Sequence, residues 1–214
     1  MDLLKKFLKD ELQLTPENYL EKFMQYEKLL LDWNNKINLI SRKSDTIEDH
    51  ILNSIFFLTK YKLDNVSNIA DIGTGGGFPG IPLKILFPGL RVLLVDSIGK
   101  KMKVLNDIIM KMHLKDIEAA CGRAEEIAED PRYNKKFDCV ISKAVSTIDN
   151  LYVWGFNFLK PDSEMVCIKG GEISQELKEL KDKETGINTE VINFSFPKAY
   201  AIENKKLIII KRGN

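Results

Sequence analysis

The stretch "NIADIGTGGGFPGIPL", residues 68–83, decides the fold. An apolar run ends at Ile72. Glycines follow at Gly73, Gly75, Gly77 and Gly80, with Asp71 just before them and Pro79 and Pro82 among the last residues. A strand that breaks into a glycine-rich turn and then a helix is the first βα unit of a nucleotide-type fold. Its site lies beyond the carboxyl ends of the strands. Glycine permits positive φ and leaves room for a ligand to lie against the backbone.

Downstream of this turn, strand-like and helix-like runs alternate. Helices are predicted at 79–87, 98–113, 124–130, 148–159 and 173–184, and strands at 67–72, 91–96, 116–122, 137–145 and 164–171. Alternation of this kind predicts a doubly wound, mostly parallel α/β sheet. The last two strands, 187–196 and 205–213, have no helix between them and predict a closing antiparallel pair at the sheet edge. Upstream, residues 1–60 read as helical. In "TPENYLEKFMQYEKLLLDWNNKINLIS" Thr15 is placed to cap, Pro16 suits the first turn, and Asn34 and Asn35 end the helix. A further apolar helix is predicted at "TIEDHILNSIFFLTKY". The expected organisation is a helical N-terminal region, 1–65, on an α/β core, 66–214.

Length and composition are those of one globular domain with an extension: 214 residues, 44% hydrophobic and 29% charged. A net charge of +1 excludes a broadly basic nucleic-acid coat, so any RNA contact must come from a local patch. The start, "MDLLKKFLKDELQL", lacks the order of a signal peptide, and no apolar run approaches the ~20 residues of a membrane span. Cys121, Cys139 and Cys167 fit no CxxC pattern and read as reduced, mostly buried thiols of a cytoplasmic protein.

The glycines follow GxGxG, and Phe78 stands where GxGxxG would have its third glycine. Pro79 and Pro82 remove donors from the early helix. The turn is therefore a poor cradle for a pyrophosphate. It suits a ligand without phosphates, such as the amino acid end of S-adenosylmethionine. Asp96 ends the next strand, 23 residues after Gly73. It is placed either to accept both ribose hydroxyls of an adenosine or merely to cap the following helix.

These residues resemble the bacterial 16S ribosomal RNA guanine-N7 methyltransferases, also called glucose-inhibited division protein B. The matching pieces are "WNNKINL" (33–39), "HILNS" (50–54), "DIGTGGGFPGIPL" (71–83), "DSIGKK" (96–101), "GRAEE" (122–126), "FDCVISKA" (137–144) and "IKG" (168–170). They run in family order across most of the chain. The resemblance implies a Rossmann-like class I methyltransferase with a seven-stranded, mostly parallel sheet and an antiparallel last strand. It implies S-adenosyl-L-methionine as methyl donor. The substrate it implies is N7 of one guanine in the 530 loop of 16S ribosomal RNA, in naked RNA or the 30S subunit. Gly73, Gly75, Gly77 and Phe78 would line the methionine end, Asp96 would hold the ribose, and Ala124 and Glu125 would flank the adenine. Lys143 would sit at the mouth of the site. The family has "SRA" where this chain has "SKA", so Lys143 keeps the charge but loses the planar fork of arginine.

Guanine N7 has a lone pair and carries no proton at neutral pH, so its methylation needs alignment rather than a general base or a metal. No catalytic side chain is assigned. His50, in "EDHILNS", is placed near the RNA face or is simply packed; His113 meets a helix dipole. Two distant histidines and no cysteine pair predict no zinc site. Lys100, Lys101 and Lys103 crowd a helix N-terminus, where bases are unfavourable; they fit phosphate contact or a solvated face. Arg123 and Lys169 follow strand ends and are candidates for RNA. Trp33 reads as a packing corner with Leu30, Ile37 and Leu39, and Arg42 and Lys43 beside it as available to RNA. "RYNKK" (132–136) and 205–214 read as basic, solvated edges. A small-molecule methyltransferase, a nicotinamide oxidoreductase and a nonenzymatic ribosome-assembly factor are the competing readings. Nothing in the residues demands a dimer, and a monomer is expected.

Overall fold

The computed structural model describes residues 1–37, 39, 46–200 and 202–213. Arg42 and Lys43, and Asn38 of "WNNKINL", lie outside the described residues.

Three helices come first: α1 (Asp2–Asp10), α2 (Leu20–Asn34) and α3 (Ile47–Ile55). Residues 16–18 form a short 3-10 turn and Thr15 makes no side-chain cap, so the expected helix start there is corrected to Leu20. Pro16 cannot donate, and the chain turns once more before α2 begins. Asn35 caps the far end of α2, as read. Thr46 starts α3 with a reciprocal capping box: its hydroxyl accepts from Asp49 N (3.1 Å) while Asp49 Oδ2 accepts from Thr46 N (2.8 Å). The single helix expected over 46–61 is corrected to α3 followed by a 3-10 turn at Phe56–Thr59.

The core follows as β1 (Asn68–Ile72), α4 (Gly80–Leu86), β2 (Arg91–Asp96), α5 (Gly99–Lys111), β3 (Ile117–Cys121), α6 (Ala124–Ile127), β4 (Phe137–Lys143), α7 (Ile148–Gly155), β5 (Leu159–Gly170), α8 (Ser174–Lys183), β6 (Ile187–Asn193) and β7 (Lys205–Arg212). The seven strands form one sheet in the order β3-β2-β1-β4-β5-β7-β6. Strands β1 to β5 pair in parallel, whereas β7 is antiparallel to both β5 and β6. The antiparallel pair is as expected, but β7 is not at the edge. It slots between β5 and β6, and the edge strand is β6.

The central strands β1, β2 and β4 read as near-continuous apolar runs because both of their faces are covered. Alternate residues serve alternate faces. Ile69, Val92, Leu94, Leu207 and Ile209 face a core shared with α1 to α5. Ala70, Ile72, Leu93, Val95, Ile208 and Ile210 face the other layer, with Leu151 of α7 and Leu180 of α8. Trp33 packs against the first core, and its indole N–H donates to Asp107 of α5 (2.7 Å). It is the packing corner the sequence predicted. Cys139 and Cys167 are buried and free; Cys121 is free but exposed. No described helix is long and apolar enough to cross a membrane.

Candidate active site

The turn after β1 is held from several sides. Gly73 N and Thr74 N both donate to Val95 O of β2 (2.8 and 3.0 Å), and Gly77 N returns to Thr74 O (2.9 Å). Asp71, wholly buried at the end of β1, accepts through Oδ2 from Thr74 Oγ (2.6 Å) and Gly80 N (2.8 Å). Burial pushes its carboxyl up to about 7, although those two bonds and the Lys143 charge lower it. Gly73 and Gly77 have φ of +70° and +99°, which side chains rarely adopt. A Cβ on Gly73 would stand 2.6 Å from the Val145 methyls.

Behind the turn is a cleft of about 230 Å³ at the carboxyl ends of β1 to β4. Gly73, Asp96, Ile98, Lys101, Ala124 and Glu125 line it, with Arg123, Val145 and Trp154 at its margin. Asp96 terminates β2. Its Oδ1 accepts from Ile98 N (3.0 Å), and its Oδ2 from Gly75 N (3.1 Å) and Lys101 Nζ (3.2 Å). Ile98 and Val145 are 40% and 43% exposed, so the cleft has apolar walls turned outward. A carboxylate at its base, bare glycine backbone on one side and apolar walls fit an adenosyl amino acid without phosphates.

A second cavity, about 320 Å³, opens beside the cleft. Asp49, His50 and Asn53 of α3 form one wall; Lys143, Ala144, Lys169 and Lys205 form the other. Phe78 joins this cavity to the turn. Its ring lies 5.3 Å from the His50 ring and 5.6 Å from Lys143 Nζ. Ala144 lines the cavity and its neighbour Val145 lines the cleft, so the loop after β4 is the partition. Lys169 braces this loop by donating to Ser146 O (2.7 Å) and pairing with Glu176 of α8 (2.8 Å). Lys205 makes no ion pair with a described residue.

The sequence-predicted residues thus divide. Gly73, Asp96, Ala124, Glu125, Arg123 and Lys101 surround the cleft. His50, Lys143 and Lys169 surround the second cavity. Gly75, Gly77 and Phe78 lie in the turn between β1 and α4 without lining the cleft themselves. Lys100 and Lys103 are exposed on α5, while Lys101 folds onto Asp96. His113 follows α5 with φ +51° and is exposed. The sequence reading did not assign Asp71, Gly76, Tyr26 or Lys205 to the site. Asp71 carried a signal in its position before the glycines. Tyr26 and Lys205 carried none, because only long-range packing brings them here. Among the described residues no cluster of His, Cys, Asp and Glu could hold a metal ion.

The strand order and the glycine-and-acid cleft together define a class I S-adenosylmethionine-dependent methyltransferase. Solved structures agree on the fold. The chain is similar to an O-methyltransferase from Bacillus cereus in complex with SAH, with TM-score 0.59 and 15% identity over 87% of this chain and 90% of that one. It is similar to the O-methyltransferase TomG from Streptomyces achromogenes in complex with SAM, with TM-score 0.59 and 14% identity over 88% and 90%. Sequence narrows the class. Residues 19–205 match the GidB family, rRNA small subunit methyltransferase G. Relatives named ribosomal RNA small subunit methyltransferase G include one from Thermoanaerobacter sp. (strain X514), 37% identical over 91% of this chain and 82% of that protein. Another, from Clostridium novyi (strain NT), is 39% identical over 80% and 71%. The chain belongs to this family. It is an S-adenosylmethionine-dependent methyltransferase, and ribosomal RNA is its substrate.

Proposed function

We propose that the enzyme methylates N7 of a single guanine in the 530 loop of 16S ribosomal RNA, acting as a cytoplasmic monomer on the RNA or the 30S subunit. The observation that carries this reading is the pair of adjoining cavities. One is built for an adenosyl amino acid without phosphates and the other is rimmed by Lys143, Lys169 and Lys205. Bound S-adenosylmethionine supplies an activated sulfonium methyl group. Asp96 holds the ribose, Ala124 and Glu125 border the adenine, and the glycine turn receives the methionine end. A carboxylate has about four lone-pair sites, and Asp96 already uses three, so Asp96 would have to release Lys101 to accept from both ribose hydroxyls.

The target guanine leaves its stack and enters the second cavity, where the ring of His50, backed by Phe78, forms part of the wall. Lys143 and Lys205 meet the flanking phosphates, which positions the RNA without reading its sequence. N7 bears a lone pair and no proton, so no residue has to act as a base. The helical region, 1–65, supplies the substrate-facing wall through α3, and the core, 66–214, supplies the cofactor cleft. What these residues contribute is alignment of N7 with the methyl group and exclusion of water.

The test is methyl transfer from labelled S-adenosylmethionine to 30S subunits and to naked 16S RNA lacking the modification, mapped by N7-specific cleavage. Label at one guanine of the 530 loop is the expected result. Label elsewhere, or on another atom of guanine, overturns the assignment.

A further inference from the structure

Tyr26 lies on α2, 50 residues from the glycine turn, and is completely buried. Its hydroxyl donates to Gly76 O at 2.6 Å. Burial raises its pKa well above the ordinary phenol value, so the group remains a donor. The same oxygen would lie 3.0 Å from a Cβ built on Gly77. The ring sits 5.6 Å from that of Phe78. Among the described residues, the other hydrogen bonds of residues 73–78 stay within the α/β core: to Val95, Asp96, Asp71 and Ile81, and within the turn to Thr74.

The peptide unit between Gly76 and Gly77 is where a brace matters. Neither flanking residue has a Cβ, so this plane can turn over at little steric cost. A turned plane would reverse the carbonyl and the N–H presented beside the cleft. Two bonds oppose this, Gly77 N to Thr74 O on one side and Tyr26 to Gly76 O on the other. The helix that carries Tyr26 is itself bolted down. Trp33 donates to Asp107, and Gln25 Nε2 to Lys111 O (3.2 Å), both on α5.

We infer that Tyr26 is a positioning residue for the reaction: by holding the Gly76–Gly77 peptide, its hydroxyl fixes the glycine turn whose Gly73 lines the cofactor cleft. The N-terminal helices thereby set cofactor affinity without touching the cofactor. The inference rests on the reading that the cleft behind this turn is the cofactor site.

The deciding variant is Tyr26→Phe, which keeps the ring and removes the hydroxyl. Affinity for S-adenosylhomocysteine is read by calorimetry, KM for each substrate from kinetics, and backbone order from amide hydrogen exchange. The expected result is cofactor affinity weaker by about 3- to 10-fold, the loss of one modest hydrogen bond, with KM for RNA within about twofold. Faster exchange should be confined to residues 73–78. Unchanged cofactor affinity overturns the inference. So does faster exchange spread along all of α2, which would mark a packing role only. Asp96→Ala runs beside it as the control for the cleft. If neither variant weakens cofactor binding, the cleft reading has failed; if only Asp96→Ala does, Tyr26 alone has failed. Should Tyr26→Phe fold poorly, exchange at Gly77 in the wild type, with and without S-adenosylhomocysteine, decides. Protection already present without ligand supports a preset turn, and protection gained only with ligand overturns it.

Discussion

The cleft and the second cavity sit side by side, yet they are built from opposite materials. The cleft is largely backbone and apolar side chains with Asp96 at its base and balanced charges at Glu125, Lys101 and Arg123, and the turn after β1 is tied to β2 by backbone bonds. The cavity is lysine-rich and assembled from α3, β4, β5 and β7, segments far apart in the chain. The difference follows from what each side must meet. A small ligand of fixed shape is recognised by preset hydrogen bonds and a close-fitting surface. A long polyanion is held by charges that need only approximate placement.

Variants that move one side and not the other sharpen this contrast, and variants that move both break it. Asp96→Ala has the largest expected effect, a loss of about 1.5–3 kcal/mol in cofactor affinity, the worth of hydrogen bonds to a charged group. Calorimetry with S-adenosylhomocysteine measures it, and RNA affinity without cofactor should not change. Gly80→Ala comes next. Its Cβ would lie 2.3 Å from Leu94 Cδ2 and 2.9 Å from Asp71 Oδ2. The expected cost is about 1–3 kcal/mol of stability, read by denaturant unfolding, with cofactor binding reduced because the Asp71 clamp moves.

Asp71→Asn tests the charge of that clamp. Burial holds the native carboxyl up to about 7, so between pH 3.8 and about 7 the folded chain keeps a proton that the unfolded chain has released. Stability contributed by this group therefore falls as pH rises through that window. Asparagine can still accept from Thr74 and Gly80, and its melting temperature should decline less from pH 4 to about 7 than that of the native chain. Equal slopes would remove Asp71 as the cause. The smallest expected effect is Lys205→Met. It should weaken RNA binding uniformly across sequences and reduce the salt slope by about 1, leaving cofactor affinity untouched. A cofactor effect here would show that the two sides are not separable.

Much of this contrast was legible beforehand, and unevenly so. The strand 91–96 and its terminal Asp96 stand where the sequence put them, since an apolar run bounded by a turn and a helix leaves little freedom. The glycine turn was equally plain, because closely spaced glycines after a strand mark a turn that favours positive φ. Thr15 misled, for a capping residue followed by proline marks a helix start only when the chain continues directly into the helix, and here it first makes a 3-10 turn. Lys205 read as a solvated edge because no local pattern says that β7 slots between β5 and β6. Lys101 was read as a phosphate contact or part of a solvated face; its pairing with Asp96 was not foreseen, since only the folded turn brings the two together. Tyr26 showed only a helical spacing, and its hydroxyl's acceptor lies 50 residues away. Local chemistry was readable; pairing across the fold was not.

The position of β7 has a consequence for the order in which these capacities arise as the chain is made. β6 leaves the ribosome first, but β7 is its one partner among the described strands, so it has no place in the sheet until the last strand emerges. The residues of the cleft run from Ile72 to Trp154 and precede both strands. Lys205, by contrast, reaches the second cavity only because β7 runs backwards, bringing its first residue to the end where the parallel strands finish. A growing chain therefore completes the groups of the cleft well before it completes those of the second cavity.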